Sequence, residues 1–205
     1  MARRSDHNRD ELRNMALEAA YEIVVSEGAR NLTTRKVAAR IGYSVGTLYL
    51  IFKNLDDLKL ALNIQSITRL RSRLVEATDP IVDPAEQLKA MAHYYLEFGL
   101  QRPNLWRLMF EHQMPGDEPM PETITRETDA LLDLLVAKFG ELMPGAELQD
   151  VLQVTTAYWS ALHGVTHLVI TEKLQLAHVD SAHDVLEKQM DMLFHGLIKS
   201  VSDIQ

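Results

Sequence analysis

Apolar residues recur every three or four positions along most of this 205-residue chain, as expected for helices that bury one face. Alternation of apolar and polar residues, which is typical of strands, is almost absent. The first helix is predicted from about Arg9 to Glu27, because Asn8 and Glu11 match a capping box and Gly28 supplies a stop. The pattern predicts an all-α protein of about nine helices.

Three more helices are predicted from their N-cap residues. A short second helix follows the threonine pair at 33–34 and ends at Gly42, and a third follows Ser44. Asn54 caps a fourth helix, which continues to about Leu74. The first three helices are therefore predicted to form a three-helix bundle at the N-terminus.

A second block of helices begins at the sequence DPAE, residues 83–86, where Asp83 is placed to cap a helix that runs to Arg102. A short helix with the sequence NLWRLMF follows, and MPGDEPMP at 114–121 predicts a loop. Three more helices are predicted near 122–142, 147–173 and 182–201, the last capped by Asp180 or Ser181.

The second and third helices match a helix-turn-helix pattern. Ala38 is small enough for a close helix crossing, and Gly42 can adopt the left-handed conformation that ends the second helix. The third helix, which starts at Val45-Gly46-Thr47, is short and predicted to be exposed, so it suits insertion into a DNA major groove. The shared apolar wedge is predicted to comprise Val37, Ile41, Leu48 and Ile51.

Charge is distributed unevenly around the net value of −8. Residues 1–55 hold nine Lys and Arg against six Asp and Glu, a net +3, whereas residues 56–205 hold twelve against twenty-three, a net −11. This division predicts that only the N-terminal part meets a polyanion. The chain has no cysteine, no apolar run long enough to span a membrane and no secretory signal, so we expect a cytoplasmic protein with no membrane partner.

The segment LTTRKVAARIGYSVGTLYLIFKN resembles the DNA-binding segment of the TetR (tetracycline repressor) family of bacterial transcriptional regulators. Further along, AYWSALHGVTHLVI resembles the Trp-x-x-x-His-Gly pattern of one TetR ligand-domain subgroup, at Trp159, His163 and Gly164. The resemblance implies a helix-turn-helix domain at 1–55, with a mobile basic arm at 1–7, and a helical ligand-binding and dimerisation domain at 56–205.

By this resemblance, eight residues lie at the DNA. Thr34, Ser44 and Tyr49 contact phosphates, and Lys53 lies near the backbone. Those nearest the base edges are Arg35, Val45, Gly46 and Thr47.

Two positions depart from the family pattern. Leu55 stands where the family often has a lysine that anchors a phosphate, and Ile51 replaces the common His or Tyr. A weaker grip on the DNA backbone is expected, offset by arm residues Arg3, Arg4 and Arg9.

The resemblance also implies a homodimer formed by the last two helices. The final helix carries an apolar stripe, and the one before it is apolar on nearly all sides. The stripe comprises Leu186, Met190, Leu193, Phe194, Leu197 and Val201. Packing of these residues within one chain is the alternative.

A mostly apolar cavity for a small-molecule effector is expected in the body of the chain. Its candidate residues are Met91, Tyr95, Phe98, Trp106, Met109, Phe110, Trp159 and His163. Each of these could instead fill the core. His163 and His167 have the i, i+4 spacing of zinc ligands, but the resemblance makes His163 structural, so we expect no metal and no cofactor.

Enzyme motifs such as a phosphate-binding glycine loop or a nucleophile elbow are absent from the sequence. The helix-turn-helix and the resemblance to the TetR family together imply a homodimeric regulator that binds a palindromic operator in double-stranded DNA. We expect a repressor that a small apolar ligand releases. An activator, a regulator without a ligand, and an all-α small-molecule-binding protein or enzyme are the alternatives.

Overall fold

The computed structural model describes residues 7–112, 121–179 and 181–202, and it describes the side chains of the last helix through residue 196. Residues 1–6 of the predicted arm and residues 114–120 of the predicted loop lie outside these residues, as does Asp180.

Nine α-helices and two short 3₁₀ helices make up the regular structure of the described ranges, which contain no strand. The all-α prediction is confirmed. The two 3₁₀ helices, Ala29–Asn31 and Leu174–Ala177, were not predicted. The α-helices are α1 (Arg9–Glu27), α2 (Thr34–Ile41), α3 (Val45–Tyr49), α4 (Leu55–Thr78), α5 (Pro84–Gln101), α6 (Pro103–Glu111), α7 (Glu122–Leu142), α8 (Leu148–Ile170) and α9 (Ala182–Ser202).

Side-chain caps fix the helix starts at the positions that the sequence marks. The Asn8 side chain accepts the N–H groups of Asp10 and Glu11 at 3.0 and 2.9 Å, and the Glu11 carboxylate accepts the N–H of Asn8 at 2.7 Å. The Asp83 carboxylate caps α5 by accepting the N–H groups of Ala85 and Glu86, and Ser181 caps α9 through the N–H of Asp184. Each cap satisfies an N–H that the helix itself leaves without a partner.

The chain divides into two compact units. The first comprises residues 1–68 and 102–127, and the second comprises residues 69–101 and 128–205. In the first unit, α6 packs on α1, where the Arg102 guanidinium donates to the Tyr21 hydroxyl at 3.0 Å and the Asn104 amide donates to the Val25 carbonyl at 3.2 Å. The fully buried Trp106 ring lies in this unit.

The second unit is built on α5, α7, α8 and α9. The Tyr158 hydroxyl on α8 donates to the Leu88 carbonyl on α5 at 2.5 Å, and its buried ring meets Phe139 of α7 edge-on. Leu186 and Met190 of α9 are almost completely buried within this unit.

Part of the apolar stripe predicted for dimerisation therefore belongs to the core of one chain. Leu186 and Met190 pack inside the second unit. An amphipathic helix buries its apolar face against its own unit, so these two side chains are not available to a partner chain. Leu193 and Phe194 are half-buried, and the side chains of Leu197 and Val201 lie outside the described residues.

Candidate nucleic-acid interface and ligand cavity

The turn between α2 and α3 depends on a glycine in the left-handed conformation. Gly42 has φ 76° and ψ 24°, and the next N–H, that of Tyr43, bonds to the carbonyl of Ala38 at 3.0 Å. An added Cβ at Gly42 meets no atom within 4 Å, so the backbone conformation, and not crowding, is what favours glycine here. Ala38, which the sequence predicts at the helix crossing, is almost fully buried.

Ser44 and Thr47 organise the start of the short recognition helix α3. The Ser44 Oγ accepts the N–H of Thr47 at 3.1 Å and lies 3.0 Å from the Thr47 hydroxyl. The two hydroxyls bond to each other, and either one can be the donor. One O–H of the pair therefore stays available for a phosphate oxygen.

Ion pairs divide the basic residues of the helix-turn-helix into two sets. Lys36 and Arg40 on α2 each face an α1 carboxylate, at 2.5 Å from Glu27 and 3.1 Å from Glu22. The hydrogen bond from Lys36 lowers the pKa of Glu27 below its usual value. Arg35, by contrast, is exposed and has no ion-pair partner among the residues that the structure describes.

The Lys53 side chain is likewise exposed and has no ion-pair partner in the described ranges. Its backbone N–H donates to Asp57 at 2.8 Å, and the N–H of Asp57 donates to Asn54 at 2.8 Å, so two hydrogen bonds join the turn before α4 to the first turn of that helix. Leu55, the first residue of α4, is half-buried. The apolar side chain of Leu55 supplies no charge for a phosphate there.

The residues predicted to contact DNA all lie on or beside α2 and α3. The exposed ones are Arg35, Ser44, Gly46, Tyr49 and Lys53, and the half-buried ones are Thr34, Val45 and Thr47. Leu48 and Phe52, in contrast, point into the core and are almost fully buried. The individual DNA contacts of these eight residues stay predictions.

His7 adds a contact that the sequence did not indicate. Its Nδ1 lies 2.8 Å from the hydroxyl of Tyr43, and the two rings meet edge to face. His7, two residues before the start of α1, is therefore joined to the turn between α2 and α3.

An apolar cavity lies in the second unit. Its volume is about 30 Å³, the scale of one water molecule. It is lined by Leu74, Met91, Tyr95, Leu131, Leu132, Leu135, Tyr158, Trp159 and Leu162. A ligand of ordinary size needs several hundred Å³, so the large cavity expected from the sequence is not open at this place.

Three of the predicted ligand residues, Met91, Tyr95 and Trp159, line this cavity. His163 reaches its edge indirectly, because its Nδ1 lies 3.1 Å from the Tyr95 hydroxyl and its ring packs 5.5 Å from that of Trp159. Phe98 is buried on α5 but is not part of the lining.

The other three predicted ligand residues belong to α6 in the first unit. Trp106 and Phe110 pack with ring centroids 4.9 Å apart, and Met109 is half-buried. The leucines of α7 and the Tyr158 and Leu162 pair of α8 were not singled out from the sequence. Their i, i+3 and i, i+4 spacing was visible, but that spacing is shared by every helix that buries one face.

Burial governs the titration of the groups near the cavity. It lowers the pKa of His163, with a further contribution from His167, so the imidazole is neutral at pH 7. Burial also raises the pKa of the Tyr158 hydroxyl far above its usual value. No charged residue belongs to the lining, so the cavity suits an uncharged group.

Across the described ranges, no three His, Asp or Glu side chains are grouped so that they could hold a metal ion. Nor is any helix of the described residues both long and apolar enough to cross a membrane.

Two family models match the chain. The N-terminal domain described as "Bacterial regulatory proteins, tetR family" matches residues 16–62, and the "Tetracyclin repressor-like, C-terminal domain" matches residues 88–193, more than half of the chain. The chain belongs to the TetR family. The members of this family are bacterial regulatory proteins, and the family prediction is confirmed.

Similar proteins agree with this assignment. The HTH-type transcriptional activator FasR of Mycolicibacterium smegmatis is 27% identical over 125 residues, which are 61% of this chain and 57% of FasR. The chain thus spans a little over half the length of that relative. A Rhodococcus protein of unknown function has the same fold, with a TM-score of 0.78, 21% identity and coverage of 95% of this chain and 98% of that one.

A second solved structure of similar fold contains a bound ligand. This is the Bacillus subtilis transcriptional regulator FadR in complex with stearoyl-CoA, at a TM-score of 0.67 and 16% identity, with 88% of this chain and 96% of that one covered. At such identity the likeness shows the fold alone.

Proposed function

We propose that this TetR-family regulator is a cytoplasmic homodimer that represses transcription from a palindromic operator and that a small apolar ligand releases it. The observation that carries the proposal is the helix-turn-helix itself, with an exposed α3 and two basic side chains, Arg35 and Lys53, free of ion pairs among the described residues. The DNA-binding domain is residues 1–55, and the rest of the chain binds ligand and dimerises.

Dimerisation is supported by an exposed ridge along α8. Every fourth residue from 152 to 168 is exposed, with a leucine at each end and small residues between them. The ridge comprises Leu152, Thr156, Ser160, Gly164 and Leu168. Ridges at this spacing pack into the grooves of a second helix, and small side chains allow a close approach.

The glycines of the last two helices fit the same interpretation. An added Cβ at Gly164 or Gly196 meets no atom of this chain within 4 Å, so packing within the chain does not require glycine at either place. Met192, one turn before Gly196 on α9, is 69% exposed. A partner helix that packs against Gly164 accounts for the Trp-His-Gly pattern, and we assign the ligand domain to that subgroup.

Ligand release is supported by the apolar lining of the cavity. Because the space is only about 30 Å³, a ligand binds well only to a conformation in which the lining has opened. Leu74 of the lining lies on α4, whose first residue follows directly after Lys53 and Asn54. Opening that tilts α4 therefore changes the distance between the two recognition helices of a dimer.

The FadR structure suggests the probe for this step. Stearoyl-CoA offers an uncharged hydrocarbon chain, which matches a lining of leucine, methionine and aromatic side chains. The experiment measures operator affinity by fluorescence anisotropy with stearoyl-CoA, with other long apolar molecules, and with coenzyme A alone as the control. We expect an apolar molecule to weaken binding about 5- to 150-fold. If a molecule binds the protein and operator affinity does not change, ligand release is wrong.

FasR favours a second function, because it is a transcriptional activator and a relative of this chain. An activator binds its operator in the same way but raises transcription. Transcription in vitro from a promoter that contains the operator separates the two: the repressor lowers transcript yield, and the activator raises it.

A further inference from the structure

The outward face of α3 is apolar. Leu48 is buried against the bundle, and successive residues of a helix are turned by 100°, so Gly46 and Leu50 project on the opposite side. Leu50 continues the helical backbone, with φ −77° and ψ −17°, and its side chain is 73% exposed. Among the described residues of the first unit, it is the most exposed large apolar side chain.

Side chains that read bases by paired hydrogen bonds are missing from α3. The segment from Val45 to Ile51 contains no Arg, Lys, Asn, Gln, Asp or Glu. The hydroxyl of Thr47 is bonded to that of Ser44. The helix that enters the groove therefore presents mainly hydrocarbon to the base edges.

Thymine is the base that an apolar side chain recognises in the major groove, because it alone places a methyl group there. Contact between Leu50 and that methyl requires the α3 backbone to come close to the bases. Gly46 permits this approach: a Cβ added there meets only the Ser44 hydroxyl, at 3.6 Å, so packing within the chain does not account for the glycine.

We infer that Leu50 is a specificity-determining residue that reads a thymine methyl in each operator half-site. The inference rests on the proposed DNA-binding function and adds to it the base that this residue selects. Arg35, which is exposed and has no ion-pair partner in the described part of the chain, is the side chain left to read a guanine. The half-site therefore combines a G·C pair with a thymine chosen by contact with hydrocarbon.

The test uses duplexes that the purified protein selects from random DNA. Each thymine of the half-site is replaced in turn by deoxyuridine, which removes the methyl and leaves base pairing unchanged. Burial of one methyl corresponds to a factor of about four in affinity. We expect such a loss at one thymine in each half-site for the wild-type protein, and about no difference between thymine and uracil for Leu50→Ala.

Two variants serve as controls. Leu50→Met keeps an apolar side chain and should keep part of the preference for thymine. Leu176→Ala removes a leucine of similar exposure, 78%, from the 3₁₀ helix of the second unit and should keep all of it. Thermal unfolding of each variant checks that the fold is intact.

The outcomes are distinguishable. Selected duplexes that bind equally well with thymine and with uracil would overturn the role of Leu50 and leave the operator-binding function standing. A Leu50→Ala variant that weakens every duplex by one factor, with the uracil effect retained, would place Leu50 at the sugar-phosphate backbone and also overturn the inference. If the protein selects no duplex at all, the proposed operator-binding function and the role of Leu50 are both wrong.

Discussion

The hydroxyl of Tyr95 on α5 lies 3.1 Å from Nδ1 of His163 on α8, beside an otherwise apolar cavity. The pair joins the two helices at the point where Trp159 packs against His163. Because burial lowers the pKa of His163, the imidazole is neutral at pH 7 and the pair carries no charge. This uncharged polar contact therefore fixes the orientation of the Tyr95 and His163 side chains beside the cavity, and it supplies no charge that would attract an ionic ligand.

Acidification should destabilise the protein through two histidines. Burial is the main cause that lowers the pKa of His163 and of His112 from 6.5, so the unfolded chain binds more protons than the native one below that pH. Stability from these groups is complete above pH 6.5 and is lost as the pH falls below it. We expect the melting temperature to fall between pH 7.5 and 5.5.

His112→Gln and His163→Gln should each reduce this fall, because glutamine does not titrate. The exposed His195 supplies the control, and His195→Gln should leave the pH profile close to that of the wild type. If both test variants keep the full wild-type slope of melting temperature against pH, protonation of His112 and His163 is not the cause of the destabilisation.

Lys53→Ala should flatten the salt dependence of operator binding. Each phosphate contact adds about 0.9 to the slope of log affinity against log salt, so a dimer that loses two contacts should lose about two units. Lys89, which is paired with Glu86 in the second unit, is the control, and Lys89→Ala should leave the slope unchanged. An equal slope for Lys53→Ala and wild type would remove Lys53 from the phosphate contacts.

Substitutions at Ser44 should separate its two roles. Alanine removes both the cap of α3, at a cost of about 1 kcal/mol, and the hydroxyl near a phosphate, whereas glycine replaces most of the cap and removes the hydroxyl alone. We therefore expect Ser44→Ala to lower both the melting temperature and DNA affinity, and Ser44→Gly to lower mainly affinity. Retained affinity in Ser44→Gly would leave Ser44 with the capping role only.

The first three helices were predictable because each boundary depends on local chemistry. Asn8, Gly28, Gly42 and Ser44 form caps whose donors and acceptors lie within a few residues in the chain. The cap Asp83 was predicted from the same kind of signal, which left Asp180 and Ser181 as alternatives for the cap of α9, and Ser181 is the residue that accepts the N–H of Asp184. The 3₁₀ helix at Leu174–Ala177 has no such signal, and it lies just beyond residue 173, where the eighth helix was predicted to end.

The cavity could not be predicted residue by residue, because its lining depends on which helices meet. Met91 and Trp106 are equally plausible from sequence, yet the first lines the cavity and the second fills the core of the other unit. Similarly, the sequence predicted that Leu186 on α9 would contact a partner chain, but this side chain is buried within its own unit. The exposed ridge lies on α8 and contains small residues such as Ser160. Hydrophobic spacing identifies a buried face but not the helix that covers it.

Leu168→Glu should disrupt the dimer. The charge would lie in the proposed contact between α8 ridges, where burial without a partner is costly. Sedimentation should show a shift toward monomer, with a loss of tight operator binding. Leu176→Glu places the same charge on an exposed leucine outside the ridge and should remain dimeric. Equal dimer fractions in the two variants would move the interface away from α8.

Leu132→Trp should abolish the response to ligand without loss of DNA binding. The larger side chain occupies the space that a ligand needs, and Leu132 is only half-buried, so the chain can accommodate it. Leu134, two residues away on α7 and outside the lining, gives the matched control, Leu134→Trp. Operator anisotropy with the apolar ligand found for the wild type gives the readout. A response in Leu132→Trp as large as in Leu134→Trp would show that the ligand binds elsewhere.

The most direct test of the account is selection of duplexes from a random DNA pool by the purified full-length protein. Two copies of α3 related by a twofold axis reach half-sites about one helical turn apart, so the account predicts an enriched inverted repeat with 10–10.5 base pairs, or a multiple of this, between half-site centres. A folded dimer that enriches a single unrepeated site, or no sequence at all, would contradict it.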